Sequence, residues 1–122
     1  MDQQRALFSS PLKASNIIGS KVVNPERESL GNIKEMVIDP STGKVAYAVV
    51  SFGGFLGMGT KLFAIPFSAF AYTESENEYV LDVAKERLKE APGFDSDQWP
   101  SLNDEKWNRD MFSYYDRSPY WE

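Results

Sequence analysis

The chain has 122 residues, 42% of them hydrophobic and 14% aromatic, which is enough apolar material for one packed domain with a tail or two. It contains neither Cys nor His, so disulfides and thiol chemistry are excluded and the commonest general base and metal ligand are missing. A net charge of −5 without a basic run disfavours nucleic acid backbones and anionic lipid.

Neither a signal-peptide core nor a run of about 18 apolar residues is found, so the expectation is a cytoplasmic protein without membrane insertion. Residues 1–14 are polar, with Pro11 and two serines just before it, and read as a mobile arm in which Leu7 and Phe8 could dock locally. Residues 17–23 form a short first strand with a glycine bend, and 24–29 a polar connection.

The stretch 30–66 organises the rest: strand, tight turn, strand, glycine-rich loop, strand. In the turn, Asp39 can bond the backbone two residues on, Pro40 presets φ, and Gly43 accepts a positive φ. The arm before it changes apolar parity between Ile33 and Met36, which predicts a β-bulge at Lys34-Glu35. The arm after it places Val45, Tyr47 and Val49 on one side and Ala46, Ala48 and Val50 on the other, so neither face is built for water and something must cover the second.

Four glycines follow within 53–59, but no phosphate-loop spacing is satisfied, because Gly59 is followed by Thr60 and then Lys61 with no helical pattern behind them. The loop is read as a bent connection whose Phe52, Phe55, Leu56 and Met58 plug a barrel end or, alternatively, face a partner. Residues 62–67 are the next strand, with Pro66 at its edge or end. A hairpin over 70–83 turns about 74–77, where Asn77 tolerates the left-handed conformation, and points Tyr79, Leu81 and Val83 inward. A turn or two of helix over 84–90 stops at Pro92-Gly93.

Residues 94–122 hold seven acidic side chains against three basic ones, all three Trp and eight of the seventeen aromatics, a composition unlike the rest of the chain. A longer helix is predicted there, with Ser101 as its cap and Trp107, Met111 and Tyr114 or Tyr115 on one face, followed by an extended aromatic tail holding Tyr120 and Trp121. The helix is the natural cover for the second face of the barrel, its own or a neighbour's. The boundaries expected are an arm over 1–14, a barrel over 15–92 and an acidic, aromatic helix and tail over 93–122.

Carboxylates are the available acid/base material, and Glu74, Glu76 and Glu78 at a hairpin tip or Asp104, Glu105 and Asp110 along a helix read as solvated faces. No calcium-loop or nucleophile-elbow pattern is present, so no catalytic residue, metal or cofactor is expected.

Taken in order, residues 18–22, 30–33, 37–45, 47–51, 53–59 and 63–66 resemble the PRC-barrel family, over about residues 15 to 90. The resemblance implies a mainly β, mostly antiparallel barrel of about six strands. Proteins with this domain include the cytoplasmic part of the H subunit of purple-bacterial photosynthetic reaction centres, a ribosome maturation factor that binds a small-subunit protein, and short stand-alone bacterial proteins. It carries no shared catalytic motif, so no active residue is transferred. The expectation is a non-enzymatic, stand-alone protein-binding or regulatory module that forms a dimer or docks on a larger assembly, with no direct nucleic-acid contact. Its partner surface would draw on Phe52, Phe55, Leu56 and Met58 in the loop and on Trp107, Met111, Tyr120 and Trp121 in the appendage.

Overall fold

The computed structural model describes residues 11–52, 61–73 and 76–122. Most of the expected N-terminal arm, the loop residues Phe55, Leu56 and Met58, and the hairpin-tip residues Glu74 and Ser75 lie outside the described residues. The elements are α1 (Ala14–Ile17), β1 (Lys21–Val23), β2 (Ser29–Asp39), β3 (Lys44–Ser51), β4 (Lys61–Pro66), a 3-10 turn (Phe67–Ala69), β5 (Phe70–Thr73), β6 (Glu78–Leu81), α2 (Lys85–Lys89), β7 (Phe94–Asp95) and α3 (Glu105–Tyr114). No helix among the described residues is long and apolar enough to cross a membrane.

Among the described residues one sheet takes in every strand, in the order β5-β6-β1-β2-β3-β4-β7. The fold is mainly β, as expected, but the sheet has seven strands and is mixed: β1 runs parallel to β6, while the other ladders are antiparallel. Two features explain the difference from a mostly antiparallel barrel of about six strands. The β1 and β6 segments lie more than fifty residues apart, and side-chain alternation is the same for either strand direction. The seventh strand, Phe94–Asp95, pairs only with Lys61 and Leu62, too few residues to leave a period in the sequence.

The β2–β3 hairpin forms for local reasons. Asp39 Oδ1 accepts from the Ser41 amide at 2.9 Å and the Ser41 hydroxyl at 2.7 Å, the Gly43 amide donates to the Asp39 carbonyl at 2.8 Å, and Gly43 takes φ +77°. Ile33 faces Val50 while Glu35 faces Val49, so the predicted bulge falls at Lys34. A second irregularity was not anticipated: Val37 faces Tyr47 and Ile38 faces Val45, leaving Ala46 extra on β3. It puts Ala46 with Tyr47 and Val49 in one cluster instead of with Ala48 and Val50. Gly31 is required by close approach, since a Cβ there would lie 1.9 Å from the Ser51 carbonyl oxygen.

Strand β3 is buried on both faces, as its composition demands. Its inner face joins Val22, Leu30, Ile33, Phe52, Phe63, Ile65, Leu81 and Leu88, the last supplied by α2. Its outer face joins Leu62 and Ala64 of β4 and is covered by Met111 and Phe112 of α3. The cover is therefore the chain's own helix. Burying two side chains of that size contributes about 1.5 to 3 kcal/mol each.

Three local readings are corrected. The first strand is shorter than expected, because residues 14–17 make a helical turn and Ser20 Oγ donates to the Asn16 carbonyl at 3.0 Å. Asp104, not Ser101, caps α3: its carboxylate accepts from the Trp107 amide at 3.1 Å, while Ser101 donates to Asn103 Oδ1. Ser and Asp cap almost equally well, so tertiary packing of Met111 and Phe112 decides where the helix starts. Nor is the tail extended. Asp116 takes φ +57°, its amide bonds the Ser113 carbonyl and the Arg117 amide the Phe112 carbonyl, a Schellman reversal that folds the last residues back on the helix.

Candidate functional site

Where the folded-back tail meets the end of the β2–β3 hairpin, an open groove of about 660 Å³ is formed. Val37, Ile38, Asp39 and Pro40 supply one wall from the hairpin, Ala46 and Tyr47 the floor from β3, Leu102, Asn103, Glu105 and Asn108 the second wall, and Tyr120 with Trp121 the end. Ile38 is 50% exposed, Leu102 46% and Trp121 37%. They are the large apolar side chains that the fold leaves in water here.

Each wall is held by a specific bond. Buried Asn108 donates through Nδ2 to the carbonyls of Leu102, at 3.1 Å, and Asp104, at 2.8 Å, which fixes the loop carrying Leu102. The Tyr120 hydroxyl donates to Asp39 Oδ2 at 2.7 Å, and Lys44 Nζ reaches the Tyr120 carbonyl at 3.5 Å. Arg109 Nη1 pairs with Glu122 at 2.7 Å and its guanidinium lies 5.3 Å from the Trp121 ring centre, while Phe112 packs against both tail rings. The tail is thus tied to the turn at one side and to α3 at the other.

The electrostatics are acidic. The Ser41 hydroxyl first, and then Tyr120, hold the Asp39 carboxyl below the ordinary aspartate value, so it is anionic throughout the neutral range. The same bond raises the Tyr120 phenol. Burial pushes the Tyr47 phenol up to about 12, and its hydroxyl has no hydrogen-bond partner among the described residues. Among the described residues no group of three or more acidic side chains is placed to hold a metal ion. An apolar floor with a polar rim suits noncovalent contact.

The sequence-predicted surface is divided by the fold. Tyr120 and Trp121 line this groove. Trp107 and Met111 face a second hollow of about 390 Å³ on the other side of α3, with Ala64, Phe94 and Pro100; Trp107 is half-buried there, edge-on to Tyr47, and Met111 is buried. Phe52 is buried in the inner core against Phe63, so it offers no surface. Ile38 and Leu102 were missed. The signal for Ile38 was an apolar residue beside a turn, past the point where inner packing ends; Leu102 needed the loop that Asn108 pins.

The PRC-barrel domain model matches residues 12–88. No curated protein matches the chain at a significant level. The hairpin wall of the groove lies within the matched span, whereas Leu102, Glu105, Asn108, Tyr120 and Trp121 lie beyond it. The match spans more than half of the sequence and accords with the β-sheet described above: this chain belongs to the PRC-barrel domain family.

Proposed function

We propose that the chain is a non-enzymatic protein-binding module whose docking surface is the groove between the hairpin end and the C-terminal segment. The observation that carries this reading is the grouping of Ile38, Leu102 and Trp121, all large, apolar and exposed, on one concave surface. Aromatic side chains with a polar rim are the composition of an interface centre. The absence of His and Cys supports binding over catalysis.

In this reading the module works in the cytoplasm as a dimer or on a larger assembly, and family likeness favours a reaction-centre or electron-transfer complex. A ribosomal precursor is the second reading; the net charge of −5 favours contact through a basic ribosomal protein over contact with RNA. A photocrosslinking residue at position 102 tests the surface in the native cell. The expected result is a discrete adduct that disappears when Trp121→Asp is added and is absent with the crosslinker at Lys89. Adducts indifferent to both changes would remove the groove from consideration, and cosedimentation with small-subunit precursors separates the two assemblies.

A further inference from the structure

We infer that the groove is an anchor pocket for a cationic side chain: it takes a partner segment presenting an arginine between apolar residues, with the stem on Ile38, Leu102 and Trp121 and the head toward Asp39 and Glu105. This rests on the groove being a docking surface and names what docks there.

Charge is the first argument. The charged residues lining the groove are Asp39 and Glu105, both acidic. The nearby cations are turned to other work, Lys44 to the Tyr120 carbonyl and Arg109 to Glu105 and Glu122. Both carboxylates keep accepting capacity: Glu105 uses Oε2 for Arg109, and Asp39 divides three bonds between its two oxygens. An incoming acidic side chain would meet two like charges, and an apolar one would make no use of the accepting capacity that both carboxylates keep.

The second argument is an unpartnered polar atom. Tyr47 is 1% exposed, lines the groove, and its hydroxyl has no hydrogen-bond partner among the described residues. A buried hydroxyl in that state lacks an N–H donor or an acceptor that a ligand can bring. Aromatic surface is the third. Trp121 already holds one guanidinium over its ring, so this environment accepts the geometry. A long, amphipathic side chain satisfies all three at once, because its methylenes cover apolar surface while its head stays polar.

Titrating the isotope-labelled full chain with the peptide Ac-Ala-Leu-Arg-Leu-Ala-NH2, and with versions carrying citrulline or glutamate in place of arginine, tests this by NMR. The arginine peptide is expected to shift the amides of Ile38 and Leu102 and the Trp121 indole. Citrulline, which keeps the shape and loses the charge, should bind about fivefold weaker, and glutamate weaker still. Glu105→Gln removes one of the two carboxylates and should narrow the gap between arginine and citrulline. Equal binding of arginine and citrulline at the groove would overturn the cation assignment while leaving the docking surface standing. Shifts confined to other parts of the chain, or none with any peptide, would overturn it as well, and the crosslink at position 102 reports separately on whether the groove docks anything.

Discussion

The two faces of β3 are covered largely by different parts of the chain, and the cover of the outer face is bordered by hollows. On the inner face Ile33, Val50, Ile65, Leu81 and Leu88 have no exposed surface, and all come from the span that the family model matches. On the outer face the cover is one ten-residue helix from beyond that span, bordered by a hollow on each side. A face closed by strands and a plugging helix can hold the fold. A face covered by one helix leaves rims where apolar side chains stay in water, and there recognition can be added without disturbing the sheet.

Removing the cover is the harshest way to break this comparison. Deleting residues 101–122 takes away Met111 and Phe112, which cover the outer face, and Tyr115, which reaches the inner cluster. At about 1.5 to 3 kcal/mol for each the loss is about 5 kcal/mol or more, comparable to the stability of a small domain. Calorimetry should find a much lower Tm, with aggregation through the bared face. A truncated chain that melts where the full one does would mean that the outer face needs no cover.

Single truncations sharpen the contrast. Ile33→Ala on the inner face should cost about 4 kcal/mol, near the upper end for such changes, because the strands around it cannot close on the cavity. Met111→Ala should cost about 2 kcal/mol, since α3 is free to settle toward the sheet. Denaturant melts of the two variants measure the difference, and a larger loss at Met111 would reverse the assignment of rigid and adaptable faces.

The tail bond is a smaller effect and depends on pH. Tyr120→Phe removes the donor to Asp39 and should cost about 0.5 to 1.5 kcal/mol at pH 7. Because the folded Asp39 value is lowered, its contribution is present above the ordinary 3.8 and is lost as pH falls through the folded value. The Tyr120 value is raised, so that contribution is present below 10 and is lost as pH rises through the folded value. The gap between wild type and variant should therefore be widest near neutrality and close at both extremes, read as hydrogen-exchange protection of residues 117–122.

Smallest of all is Tyr47→Phe. Its hydroxyl makes no hydrogen bond among the described residues, so stability at pH 7 should change by less than about 1 kcal/mol. Above pH 10 the unfolded chain releases this proton while the folded chain holds it up to about 12, so wild-type stability falls across that window. The variant should lose less there, and the same alkaline loss in both proteins would show that Tyr47 titrates alike in the folded and unfolded chain.

What could be read from the residues was what neighbours along the chain decide. The turn at Asp39–Gly43 follows from Asp39, whose side chain accepts from the amide two residues on and whose carbonyl accepts from the amide four residues on. The bulge at Lys34, the two-sided burial of β3 and the left-handed Asn77 follow from parity and local sterics, and an apolar helix was legible from the spacing of Trp107 and Met111. Packing between distant segments decided the rest. The parallel pairing of β1 with β6 joins residues far apart in sequence, and alternation does not record strand direction. The bulge at Ala46, the choice of Asp104 over Ser101 as cap, and the reversal at Asp116 each selected among nearly equal local options by what could be buried. The groove exists only because the last of these brings Tyr120 to Asp39, a contact across 81 residues, and a contact of that range is set by the closure of the whole chain and not by any stretch of it.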